Sequence, residues 1–477
     1  MKAIQGWFRA AALVISVLAF AVGAPAQNQN SNDKDSPKSS NNTWPYAATG
    51  RSAPVLAVVG DVSCQPGETE PGGEKSGESC ASTKSPYNST PGILWQSQEA
   101  TANEIETIKP DLVAILGDLQ YQVGQYSDFE GSYDLTYGAF KMITRPAPGN
   151  HEFYDEHAAT GVAGYGYFSY FNGFQIDGTG APVTATIPDP CPSGLVWNDP
   201  NPPNPYSAPA TPCGYQGMTT PNPQPVPRAD GQAGHFEEPP DGVGVGVGDG
   251  WYSYNLGDWH LISLNIECST QPGGCSTTGS WFASELQWLQ NDLEANHSSC
   301  TLAYWHQPTF SATNGITQEG ATAQAFWQLL YQHHADLVLN GHDHLYARYR
   351  PLNPNGIYDP NMGIREFTVG TGGETLDPIV VTTVTSAQVT PMNGLTETNQ
   401  EDPSGNVNFN ALNLQAYSGD YWGVMALTLN KNGYAWDYES ALLGPTVAVN
   451  GPTLPAPAPT GGYSDKGVGY CHGQIDR

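Results

Sequence analysis

PVLAVVGD, Pro54 to Asp61, and DLVAILGD, Asp111 to Asp118, are the two stretches on which the fold turns. Each is a short apolar run that stops at Gly-Asp, the pattern of a buried strand closing in a turn. Open α/β sheets carry functional residues just beyond the carboxyl ends of their strands. Two strands that each deliver an aspartate there already make a constellation. The segment Gln96 to Ile108 between them reads as a helix.

Working outward, three further segments repeat the design: GNHE at Asn150, the strand CTLAYWHQP at His306, and ADLVLNGHDH at His342 and His344. All five segments present side chains of the metal-ligand type, and glycine precedes the ligand in four of them. Glycine lets the backbone turn sharply and approach closely at a strand end. A lone Gly-Asp is usually just a turn. In GHDH, however, alternate residues of an extended segment point the same way, so both imidazoles can address one cluster. Carboxylate, amide oxygen and imidazole together suit Zn, Mn, Fe or Mg rather than soft copper.

The remaining chain is read around this frame. Trp251 to Asn265 alternates like a hairpin about Gly257-Asp258. Ser280 to Ala295 and Ala321 to His333 have helical apolar spacing. IREFTVGTGG, YWGVMALTLN and YAWDYESAL read as sheet strands. From about 173 to 250 the chain is rich in Pro, Gly, Asn and Asp and reads as a long insertion.

At the amino terminus, a charged start with Lys2 and Arg9, an apolar run of about 13 residues and the small residues Ala24-Pro25-Ala26 follow the plan of a secretory signal peptide. That run is short of the roughly 20 residues that span a bilayer. The expected organisation is therefore a signal at 1–26, a flexible polar leader at 27–50, a catalytic domain at 51–445 and a Pro/Gly-rich tail at 446–477. Such a protein would be secreted or periplasmic, with no membrane attachment after cleavage.

Eight cysteines in an exported chain imply disulfides. Spacing suggests Cys64 with Cys80, Cys191 with Cys213, Cys268 with Cys275, and Cys300 with Cys471 tying the tail back, one of 105 possible pairings. The net charge of −29 disfavours nucleic acid and anionic membranes, and no nucleic-acid-binding module is present. An anionic substrate would need local positive charge, and only 17 Lys and Arg are available.

The order GD, GDxxY, GNHE, apolar strand ending in His, and GHxH resembles the calcineurin-like metallophosphoesterase superfamily. The tyrosine of GDxxY, Tyr121, resembles its purple acid phosphatase branch. The resemblance implies an α/β fold, a four-layer α/β/β/α sandwich of two mixed sheets with the metal site at the strand C-terminal ends. It implies one metal held by Asp61, Tyr121 and His344, another by Asn150, His306 and His342, and Asp118 bridging both. The pair would be Fe with a divalent partner, Zn, Mn or Fe. His151 would contact the phosphate and protonate the leaving oxygen, with Asn150 also at the substrate. Ser63 stands where many members of the superfamily have a histidine, which favours the tyrosine-completed site.

Two further residues are placed by position. His235, in the insertion, is a candidate substrate contact, and Glu152 is expected to support the ligands by hydrogen bonding. His260, His333 and His334 read as structural and His157 as solvated. The expected activity is hydrolysis of phosphate monoesters by metal-bridged hydroxide, as in an acid phosphatase. A phosphodiesterase or nucleotidase on the same site, and a surface binding protein without catalysis, are the alternatives.

Overall fold

In the computed structural model, residues 53–64, 93–124, 128–157, 164–172, 175–176, 182–183, 230–231, 233–237, 247–248, 250–271, 273–313, 317–377, 413–441 and 462–472 are described. The signal and leader segments, most of the 173–250 insertion, and Cys80, Cys191 and Cys213 of the expected pairs Cys64–Cys80 and Cys191–Cys213 lie outside these residues.

The apolar runs form strands because their side chains can be buried on both faces. Val55–Val59 and Leu112–Leu116 pair in parallel, and every residue of LVAIL is buried. They lie within a six-stranded mixed sheet. Its order is Ser464–Tyr470, Gly433–Ser440, Gly423–Asn430, Val55–Val59, Leu112–Leu116 and Thr144–Ala147. A seven-stranded mixed sheet has the order Tyr252–Leu256, Trp259–Ser263, Cys300–Tyr304, Leu337–Asn340, Arg365–Val369, Tyr346–Tyr349 and Leu414–Ser418.

One apolar core, including Leu56, Val58, Leu302, Leu339 and Trp436, fills the space between the sheets. A second core lies on the outer face of the seven-stranded sheet, where Phe282, Leu289, Phe326 and Trp327 come from the helices Trp281–Ala295 and Gln324–Gln332. The helix Ile93–Ile108 packs against Gly423–Asn430 of the other sheet. The layers are therefore helix, sheet, sheet, helix, as the resemblance implies.

The hairpin forms about Gly257-Asp258, and Ser280 caps the helix that follows, its hydroxyl accepting the Ala283 amide at 3.2 Å. The expected helix at Ala321 to His333 differs in one respect: it starts earlier, after the Thr317 cap, and is broken at Ala323 into Gln318–Thr322 and Gln324–Gln332.

The division at 445/446 also differs from the structure. Ser464–Tyr470 is an edge strand paired with Gly433–Ser440, so this part of the expected tail completes the sheet. SDKGVGY lacks an apolar period because one of its inward side chains is Asp465. That carboxylate is buried and accepts Arg348 Nε at 2.7 Å and the Tyr346 hydroxyl at 2.6 Å across the sheet interface. Cys471 then pairs with Cys300, and Cys268 pairs with Cys275, both as the spacing suggests. Among the described residues no helix is long and apolar enough to cross a membrane.

Candidate metal centre

All five motif segments follow parallel strands of the two sheets, and they meet where the sheets come together. The Gly60 amide donates to the Val369 carbonyl at 2.8 Å, and the Gly341 amide to the His306 carbonyl at 3.0 Å. Gly117 is at φ +88°, and a Cβ there would strike the His306 ring; a Cβ on Gly149 would strike Asp118. These two glycines are required by close approach as well as by the turn. Asp61, Asp118 and His342 also lie in the left-handed region, at φ +60°, +47° and +67°. Non-glycine residues held there indicate local strain that the surroundings enforce.

Two groups of donor atoms result. In one, the Tyr121 hydroxyl lies 2.9 Å from Asp61 Oδ1 and 3.0 Å from His344 Nε2. In the other, His306 Nε2 lies 3.1 Å from Asn150 Oδ1 and 3.3 Å from His342 Nδ1. Asp118 Oδ2 touches both, at 2.8 Å from the Tyr121 hydroxyl and 3.1 Å from His306 Nε2. Ligands about 2.1 Å from one cation stand about 3 Å apart when neighbouring bonds meet at right angles, so these spacings and donor types fit metal ions. Asp118, His306 and His342 by themselves form one such cluster.

Neighbours set the orientation of each ring. His306 Nδ1–H donates to the Leu116 carbonyl at 2.8 Å and His344 Nδ1–H to the Thr375 carbonyl at 2.7 Å, which turns both Nε2 atoms into the centre. Asn150 Nδ2 donates to the Tyr154 hydroxyl at 3.0 Å, leaving its oxygen inward. Glu152 accepts the amides of Leu119, Gln120 and Gly149 at 2.8, 3.2 and 2.7 Å, tying the GDLQY turn to GNHE.

The His151 ring lies tilted against Tyr121, at 48° with ring centroids 4.2 Å apart. Its Nδ1–H bonds the Gln122 carbonyl at 2.7 Å, and its Nε2 lies 3.9 Å from Asp118 Oδ2, beyond a hydrogen bond.

The electrostatics are those of closely packed opposite charges. Burial opposes ionisation of Asp118, but His306 and His151 beside it hold its carboxyl well below the usual range. Burial lowers His306 and His344, yet the carboxylates of Asp118 and Asp61 prevail and raise each to about 10. His342 is pushed down by burial and by His306, and Tyr121 is pushed up by burial and by the charges of Asp118, Asp61 and Glu374. Without a cation, protons therefore occupy nitrogens that a metal would take.

The other histidines lie elsewhere. His260 is buried against Asp292 at 2.6 Å, and His333 caps its helix. His235 lies on the short strand Gly234–Glu237 and His157 ends the turn Asn150–His157; their side chains are outside the described part. Sequence reasoning missed the segment Gly370 to Asp377. Asp377 Oδ2 accepts the His344 amide at 3.0 Å, and the Asp377 amide donates to the His344 carbonyl at 2.8 Å. The signal was available, since IREFTVGTGGE is another apolar strand closing on glycine and an acid.

Over 130 residues the chain is 29% identical to purple acid phosphatase 15 of Arabidopsis thaliana, a stretch covering 26% of this chain and 22% of that one. Over this stretch the chain is similar in sequence to purple acid phosphatases. Purple acid phosphatase 18 of the same plant is 29% identical over 127 residues, 26% of either chain. The uncharacterized protein Rv2577 of Mycobacterium tuberculosis is 31% identical over 126 residues, 25% of this chain and 24% of that one. The match spans about a quarter of the length of these purple acid phosphatase relatives, and no family model matches the chain.

Among solved structures, purple acid phosphatase PPD1 from yellow lupin seeds superposes with a TM-score of 0.41 and 13% identity, covering 88% of this chain and 54% of that one. The structure titled "Structure of PhoD" gives 0.44 and 12%, covering 88% and 70%.

Proposed function

We propose that the protein is an exported, dinuclear-metal phosphoesterase that hydrolyses phosphate monoesters. The observation that carries this reading is the position of Asp118 Oδ2, in contact with Tyr121 of one donor group and His306 of the other. One carboxylate shared in this way is what two adjacent cations require. Asp61, Tyr121 and His344 would hold iron, and Asn150, His306 and His342 would hold a divalent partner, Zn, Mn or Fe. When bound, the pair would neutralise phosphate charge and lower the pKa of a shared water, giving hydroxide for in-line attack.

The chain's own residues do the rest. The carbonyls of Leu116 and Thr375 keep the imidazoles turned inward, and Glu152 fixes the two turns that carry Asp118 and Asn150. His151, its Nδ1–H held by the Gln122 carbonyl, would bind a phosphate oxygen and give a proton to the leaving oxygen. Asn150 borders the same space. Export rests on the sequence of Met1 to Ala26 and agrees with the two disulfides.

The test is the rate of mature protein on a chromogenic phosphate monoester and on the matching diester, across roughly pH 4 to 9. Strong monoester preference is the expected result. Diester preference would move the activity to phosphodiesterase on the same centre. No metal-dependent turnover of either would overturn the reading in favour of a binding protein.

A further inference from the structure

Glu374 follows the strand Arg365–Val369 and is 3% exposed. Its backbone amide donates to the Asp61 carbonyl at 3.2 Å, and its own carbonyl accepts Trp422 Nε1 at 2.6 Å. Its Oε1 accepts the Thr375 amide at 2.8 Å, and the Thr375 carbonyl is the acceptor that orients His344. Glu374 thus reaches two members of one donor group through the chain itself.

The second carboxyl oxygen, Oε2, is buried with no hydrogen-bond partner among the described residues. The contrast with Glu152 is instructive: there both oxygens are occupied by backbone amides, as a structural acid requires. A buried carboxylate oxygen without a donor is costly unless positive charge lies close by. The groups that Glu374 reaches, Asp61 directly and His344 through Thr375, both belong to the Tyr121 donor group.

Resting on the phosphoesterase reading, we propose that Glu374 is a positioning residue of the Asp61–Tyr121–His344 group. It braces Asp61 and His344 from behind, and its buried carboxylate adds the negative charge against which the cation of that group is held. A carboxylate just outside the ligands strengthens binding through space and through the donors it orients.

The experiment titrates zinc alone into metal-free wild type, Glu374→Gln and Tyr121→Phe, by competition with a chelator and by the ultraviolet difference band of tyrosinate. Gln keeps the shape and the acceptor for Thr375 while removing the charge. Tyr121→Phe identifies which binding step belongs to the Tyr121 group.

In Glu374→Gln that step is expected to weaken by about ten- to a hundredfold, with the other step little changed. Equal affinity in Glu374→Gln and wild type overturns the proposal. Should Gln fail to fold, Glu374→Asp keeps the charge one methylene back, and zinc affinity far below wild type in that folded variant overturns it as well. Wild type that binds no pair of zinc ions overturns the phosphoesterase reading first and this one with it. Wild type that binds two and hydrolyses ester, beside an unaltered Glu374→Gln, removes only this proposal.

Discussion

The hydroxyl of Tyr121 stands 2.8 Å from the carboxylate of Asp118, three residues earlier in the same turn. The contact joins the two donor groups, because Asp118 reaches on to His306 while Tyr121 reaches Asp61 and His344. The proposal that Asp61, Tyr121 and His344 hold iron turns on this tyrosine.

Tyr121→Phe removes only that hydroxyl. Iron-loaded wild type should be purple or pink from tyrosinate-to-iron charge transfer, and the variant should lose the visible band together with one equivalent of tightly held metal. A colourless, zinc-loaded and fully active wild-type enzyme would remove the iron assignment.

Asp118→Asn keeps the volume but removes the shared charge. Loss of both metals to a chelator and a fall in kcat/KM of at least a hundredfold, about 2.7 kcal/mol of transition-state stabilisation, are expected. Unchanged metal content and turnover would return the non-catalytic binding reading.

His306 and His344 carry pKa values raised to about 10 by Asp118 and Asp61 after burial has worked the other way. At neutral pH both are therefore protonated in the metal-free protein, and a cation must displace those protons. Zinc added in weakly buffered solution should release protons, and affinity should rise with pH towards about 10. Calorimetry in buffers of different ionisation heat measures the number released; none at pH 7 would mean that His306 and His344 are already neutral before the metal arrives.

Burial pushes Glu267 up to about 8, outweighing His306 and the Gln307 amide that bonds both its oxygens. A carboxyl raised on folding adds stability below its unfolded pKa and loses it as pH rises through the folded value. Metal-free protein should lose stability between about pH 4.5 and 8, and Glu267→Gln should flatten that slope in chemical denaturation. An unchanged slope in the variant would assign the loss to other groups.

Asp465→Ala strands Arg348 between the sheets, along with the Tyr346 hydroxyl and Trp436 Nε1. Breaking a buried pair from one side costs about 3–5 kcal/mol. A clear fall in Tm is expected, with the Cys300–Cys471 link still formed; a variant as stable as wild type would show that this carboxylate is not needed.

Much of this was legible in the residues themselves. Strands such as LVAIL declare themselves because both faces are buried, and the candidate ligand side chains stand at fixed offsets from glycines that only a strand end needs. The pairings Cys268–Cys275 and Cys300–Cys471 were readable from spacing. Ser464–Tyr470 was not, because an edge strand whose inward residue is Asp465 has no apolar period until Arg348 arrives from the other sheet.

The sequence by itself determined the strand-turn units and singled out Asp61, Asp118, Tyr121, Asn150, His306, His342 and His344 as candidate ligands. Only the tertiary structure decided which of them touch, since Asp118 and His306 come from different sheets and meet where Gly117 lets the ring approach. It alone brought Leu116, Thr375, Glu374 and Asp377 to these side chains. Ring orientation depends on backbone carbonyls and amides, which every residue carries alike, so no residue type announces them; their direction exists only once the chain is folded.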